Sequence, residues 1–167
     1  DACIVWFDAH GDLNTPEASA SGYLGGLAIS GPTGLWDSGL GAGLSLDRLV
    51  LVGQRDLDPF EQDLIDRHAI PHVKARGDVA SALRKAIAGR PAYVHLDCDV
   101  LNPGIVPTDY ACEDGLSLAD LQACCQVIAE QALIGIEIAE FQYAWEPGGE
   151  AFSPGPLLDA LVPILAP

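Results

Sequence analysis

The chain is poor in positive charge: 8 lysines and arginines stand against 24 aspartates and glutamates, for a formal net charge of −16 over 167 residues. Nucleic acid and anionic membrane surfaces both demand a basic face, so neither is expected as a partner. Long apolar runs are missing as well. No stretch approaches the ~18 residues of a membrane span, and no basic segment leads into an apolar one at the start, so neither a span nor a secretory leader is expected. The five cysteines (Cys3, Cys98, Cys112, Cys124 and Cys125) form no Cys-x-x-Cys pair. An odd set with two adjacent members suits reduced thiols and a cytoplasmic setting better than a disulfide framework. No internal repeat or low-complexity linker divides the chain, which predicts one domain over residues 1–167. With 49% hydrophobic residues, that length can bury a substantial core.

What is present is a strand–helix alternation. Residues 2–7 are apolar on both faces, as a central strand of a covered parallel sheet requires. Further strands are expected over 48–53, 70–73, 92–96 and 133–141, and helices over 58–68, 78–88, 117–131 and 157–165. Pro59 sits in the first turn of the first helix, Gly89 closes the second, and Ser117 with Asp120 caps the third. The alternation predicts an α/β fold of three layers, helices on both sides of a mostly parallel sheet, with ligands bound at the carboxyl ends of the strands. The glycine-rich stretch 22–43 is expected as a long loop walling that end.

Two acidic segments follow apolar strands: Asp8-Ala9-His10-Gly11-Asp12 and Asp97-Cys98-Asp99. Strand alternation would aim residues 8, 10 and 12 to one side, and 97 and 99 likewise, about 6 to 7 Å apart. Four converging carboxylates repel unless a cation lies among them, so a two-metal site is expected. An oxygen-rich set with a little imidazole suits Mn2+ better than structural zinc. A phosphoryl-transfer reading of Asp97 and Asp99 lacks the Thr or Val and the downstream Lys that would accompany it. His95 shares the face of Asp97 deeper in its strand and is expected as a hydrogen-bonded core histidine, while His68 and His72 are expected at the surface. Asp56 and Asp58 are candidates to cap the helix that follows them. Glu140, on a strand expected to be buried, is costly without a partner and is therefore a functional candidate.

Four segments, in order along the chain, carry a resemblance. Residues 6–22 resemble the Asp-Ala-His-x-Asp segment of arginases, bacterial ones especially, and residues 95–103 are similar to their second metal segment. Gln54-Arg55-Asp56-Leu57-Asp58-Pro59 resembles the family's Arg-Asp-x-Asp-Pro turn, and Ile136-Glu137-Ile138-Ala139-Glu140 the strand bearing its substrate-binding glutamate. The likeness runs from Ala2 to Gln142. It implies a ureohydrolase that splits a guanidino or amidine C–N bond, in arginine or a relative of it, with release of urea. By position it implies that Asp8 and Asp97 bridge two Mn2+ ions, that His10 and Asp99 complete one, and that Asp12 serves the other and orients a bridging hydroxide. It also implies that Glu140 pairs with the guanidinium, that Asn14, Ser19 and Ser21 hold the α-carboxylate, and that Asp58 holds the α-amino group. A homo-oligomer is implied too.

Three departures from the family pattern carry expectations of their own. The family's Gly-Gly-Asp-His segment, whose histidine is the remaining metal ligand, lies outside this sequence. An arginase-like fold lacking its amino-terminal part is therefore expected, with the ion on the Asp12 side weakly held. Gly25 stands where the family has a proton-transferring histidine, which implies slow or absent turnover of arginine. Asn102 replaces an aspartate and is expected in a structural role. The alternative is a non-catalytic relative that keeps the fold and part of the metal site for binding or assembly.

Overall fold

The computed structural model describes residues 1–166. Five strands, β1 (Cys3–Phe7), β2 (Leu49–Val52), β3 (His72–Val73), β4 (Ala92–Asp97) and β5 (Leu133–Ala139), form one parallel sheet in the order β3-β2-β1-β4-β5. Four helices, α1 (Pro59–His68), α2 (Val79–Ile87), α3 (Leu118–Ala129) and α4 (Gly155–Leu165), supply the outer layers.

Alternation along the central strands splits the core in two. Cys3, Val5 and Phe7 of β1 face the same way as Val50, Val52, Val94 and Leu96, and pack with Leu83 and Ile87 of α2, Leu121 and Ile128 of α3, and Leu161 of α4. The opposite face buries Trp6, Leu49 and Leu51 under Leu64 and Ile65 of α1, with Leu13 and Ile29 from the long segment after β1. No residue of β4 or β5 belongs to this second cluster. The helical cover on that face therefore gives out beside β4, which leaves a crevice.

The helix ends form where their capping residues stand. Ser117 and Asp120 bond each other's backbone N–H at 3.0 and 3.1 Å, and Asp78 accepts from Ser81 N at 2.9 Å. The chain runs outward from β1 through β2 to β3, then returns to lay β4 on the other side of β1. Such a reversal of strand order opens a ligand crevice at the carboxyl ends of the two diverging strands. Asp8 and Asp97 stand at those ends.

Three expectations need correction. The strand expected over 133–141 ends at Ala139, so Glu140 lies one residue beyond it; among the described residues it is the last strand of the sheet, with Ile134 and Ile138 59% and 42% exposed. His72 is half-buried rather than on the surface, its Nε2 donating to the Gln54 carbonyl at 3.0 Å. Burial, with the charge of Lys74 nearby, lowers its pKa. The 22–43 stretch is not all loop, since Gly25–Leu27 forms a 3-10 turn. All five cysteines are free thiols, and no described helix is long and apolar enough to cross a membrane.

Candidate metal centre

Strand periodicity ends before the site does. Asp12 has φ +53°, and Asp99 lies in a 3-10 turn, Cys98–Val100, that Asp97 starts by accepting Asp99 N at 3.0 Å. The turns draw the side chains closer than an extended chain would. Ligand atoms of Asp8, His10 and Asp99 all lie within 4.8 Å of one another, and so do those of Asp8, Asp12 and His95. The two acidic segments therefore meet in the first of these clusters, and Asp8 is shared with the second. Asp97 lines the same cavity but joins neither cluster; its Oδ1 accepts the Asp99 N–H.

Several contacts fix this geometry. Trp6 Nε1 donates to Asp8 Oδ2 at 3.2 Å, and Ala9 N donates to Asp99 Oδ1 at 3.0 Å. Arg55 spreads its guanidinium over the carbonyls of Asp99, Cys112 and Glu113, each at 2.8 Å, and so pins the Asp99 turn to the end of β2. Gly11 is required by close approach: a Cβ there would meet the buried carboxylate of Glu61 at 2.6 Å. Glu61 in turn accepts from Leu13 N at 2.9 Å and Asp58 N at 3.0 Å, and so ties the first acidic segment to α1. Asn102 Oδ1 accepts from Gly115 N at 2.9 Å, a structural contact away from the acidic groups.

The electrostatics call for cations. Burial and the neighbouring charge of Asp8 push the Asp12 carboxyl up to about 9. Burial and the charges of Asp8 and Asp99 push Asp97 up to about 8, and burial raises Asp8 as well. Hydrogen bonds to Asp8 and Asp99 hold the His10 imidazolium, raised to about 11. For Asp99 burial acts upward, but the bonds from His10 and Ala9 N outweigh it and its pKa is lowered. Two carboxylates about 5 Å apart repel by roughly 3 kcal/mol at an effective dielectric constant near 20, so one imidazolium cannot neutralise all four. His95 Nε2 and Glu140 Oε2 are buried with no hydrogen-bond partner. Orphaned donors among crowded carboxylates, mostly oxygen with a little imidazole, fit Mn2+.

These groups open into a cavity of about 470 Å³. Asn14, Ser21, Asp58 and Glu140 line it, whereas Ser19 does not; its hydroxyl accepts from Gly22 N at 3.0 Å beside Ser21. Asn14 Nδ2 donates to Asp58 Oδ2 at 2.8 Å. Asp58 is the N-cap of α1; Asp56 lines the cavity instead, its Oδ2 3.9 Å from His10 Nε2. Glu140, at φ +59°, is the second left-handed carboxylate on the wall after Asp12. Such conformations cost free energy and gather where side chains must be aimed.

Three residues of the wall were not foreseen as parts of a site. Glu61 left a sequence signal, three residues after the helix-capping Asp58. Tyr23 left none, although its ring fills the space beside Gly25, where a Cβ would fall 2.4 Å from Cε1. His95 is buried and hydrogen-bonded as expected, Nδ1 lying 2.9 Å from Glu137 Oε1, yet it also lines the cavity within reach of Asp8 and Asp12.

Comparison with known proteins gives the chain its relatives. An N(omega)-hydroxy-L-arginine amidinohydrolase of Streptomyces lavendulae is 44% identical over 140 residues, covering 84% of this chain and 51% of that protein. An arginase of Glaciozyma antarctica is 30% identical over 162 residues, 84% of this chain and 47% of its own. The chain thus spans about half the length of these relatives. Among solved structures, Entamoeba histolytica arginase in complex with L-ornithine superposes with a TM-score of 0.85 at 26% identity, over 99% of this chain and 60% of that one. Bacillus subtilis arginase shares the fold with a TM-score of 0.86, at 20% identity over 100% and 64%. The model of the arginase family matches residues 1–151, and with the fold and the acidic clusters it shows that the chain belongs to the arginase family.

Proposed function

We propose that the protein hydrolyses a guanidino C–N bond using two Mn2+ ions held at the ends of β1 and β4, and that an Nω-hydroxylated arginine is its preferred substrate. The observation that carries the proposal is the pair of clusters sharing Asp8 at the floor of one cavity. Asp8, His10, Asp97 and Asp99 would hold one ion; Asp8, Asp12 and Asp97 would hold the other. When bound, such a pair supplies Lewis acidity that brings the pKa of water toward neutrality. Hydrolysis would add water across the bond between the guanidino carbon and the δ-nitrogen, leaving ornithine and hydroxyurea.

The remaining groups bind and orient. Glu140 Oε2, buried and unpartnered, is placed to accept a charge-assisted hydrogen bond from the guanidino N–H groups. The Asn14–Asp58 pair and Ser21 are placed for the amino acid end of the substrate, with Ser19 supporting the loop. Asp12 keeps its proton until a cation is near, and then ionises.

Position 25 leaves the departing nitrogen without an acid. Glycine supplies no proton, and the Tyr23 ring occupies the space a side chain would use. The departing δ-nitrogen is the same in arginine and in Nω-hydroxyarginine, so the missing acid slows both alike; we read the hydroxylated compound as the substrate. The amidinohydrolase relative named above supports the same reading. The test measures hydroxyurea from Nω-hydroxy-L-arginine and urea from L-arginine, using the intact protein loaded with Mn2+. Hydroxyurea release is expected to be the faster of the two. Equal rates would refute the substrate preference, and no release from either would refute the hydrolase.

A further inference from the structure

The cluster of Asp8, Asp12 and His95 contains an imidazole that the family pattern does not assign to metal. Three neighbouring strands build it by register: Trp6 of β1 pairs with His95 of β4, which pairs with Glu137 of β5, so the three side chains form a row across one face of the sheet. Trp6 stacks on the His95 ring at 3.5 Å between centroids and 8° between planes. Glu137 Oε1 lies 2.9 Å from His95 Nδ1, and because a carboxylate only accepts, Nδ1 carries the proton. Nε2 is left with its lone pair.

That nitrogen has no hydrogen-bond partner, on a residue only 8% exposed. Leaving a buried acceptor unpaired is unfavourable, so some partner is called for. A divalent ion accepts lone pairs from all three members of the cluster. Carboxylate, histidine and metal in line, with the far ring nitrogen donating to the carboxylate, is how proteins orient a metal-bound imidazole.

We infer that His95 Nε2 is a ligand of the second divalent ion, shared with Asp8 and Asp12, with Glu137 fixing its tautomer and Trp6 its ring plane. The Asp12 side then has an imidazole of its own, supplied from β4, and matches the His10 side in donor type. The inference rests on the two-metal reading above.

Its test reads metal binding rather than turnover. Mn2+ is titrated into the intact protein, bound ions are counted after dialysis, and nitrogen couplings to Mn2+ are recorded by pulsed electron paramagnetic resonance. Wild type is compared with His95→Phe, which keeps an aromatic ring against Trp6, and with Glu137→Gln at a half-exposed position. Thermal melts show which variants are folded. The expected result is two bound ions in wild type, loss of one ion and of one imidazole coupling in His95→Phe, and ~10- to 100-fold weaker binding of that ion in Glu137→Gln. Unchanged stoichiometry and couplings in folded His95→Phe would overturn the inference while leaving the two-metal site standing. Should His95→Phe fail to fold, Glu137→Gln decides alone, and wild-type binding of both ions there overturns the inference. Wild type that binds no Mn2+ overturns both readings.

Discussion

The two clusters that share Asp8 are held in opposite ways. On one side His10 Nδ1 lies 3.3 Å from Asp8 and 3.0 Å from Asp99, and backbone N–H groups of Ala9 and His10 steady the same two carboxylates. On the other side Asp12 faces Asp8 without a cation, and His95 presents an unpaired nitrogen to both. The first cluster neutralises itself and must release the His10 proton to take an ion. The second keeps a proton on Asp12, beside Asp8 and the unpaired nitrogen of His95. An entering cation therefore displaces a proton on either side, from His10 on one and from Asp12 on the other.

Asp8 is the member common to both, so replacing it should erase the difference. Asp8→Asn keeps the shape but removes the shared charge. Both ions are expected to be lost and hydrolysis to fall to the uncatalysed level, checked by metal content and product release. Retention of one ion by this variant would show that the clusters are independent.

Glu140→Gln leaves both clusters intact and tests the cavity beyond them. Losing a charge-assisted bond worth about 1.5–3 kcal/mol should lower kcat/KM by about 10- to 100-fold while Mn2+ stoichiometry stays unchanged. A change in stoichiometry instead would move Glu140 into the metal shell.

A pH series separates the sides further. Asp12 and Asp97, raised from 3.8 to about 9 and about 8, contribute stability while protonated and lose it as pH climbs through that window. His10, raised from 6.5 to about 11, loses its contribution in the same direction. In chelator, melting temperature should fall from pH 5 to pH 8, and the gain on adding Mn2+ should grow, because binding displaces these protons. A chelated protein that became more stable over this range would contradict the charges assigned to the site.

The smallest effect lies behind the site. Glu61→Gln places an amide where Leu13 N and Asp58 N both donate. A loss of about 1–3 kcal/mol in denaturant unfolding is expected. An unchanged midpoint would mean that the Asp12 loop does not depend on this anchor.

Local signals in the chain made the frame and half of the site legible. Apolar runs marked β1 and β4, the capping pair Ser117 and Asp120 marked α3, and the spacing of Asp8, His10, Asp12, Asp97 and Asp99 marked the acidic groups. What stayed hidden depends on register and turns. His95 reaches the cavity through its row with Trp6 and Glu137, and cross-strand pairing is not written in any one segment. The left-handed turns at Asp12 and Glu140 carry no glycine to announce them. β5 resembles a central strand because Leu133, Ile134, Ile136 and Ile138 are apolar, although two of the four are exposed in the sheet as it stands.

Anomalous diffraction at the manganese edge, from crystals of the intact protein grown with Mn2+, tests the paired clusters most directly. Two peaks are predicted in the cavity, one against Asp8, His10 and Asp99 and one against Asp8, Asp12 and His95. No peak among these carboxylates, or a single peak with His95 and Asp12 left unligated, would contradict it.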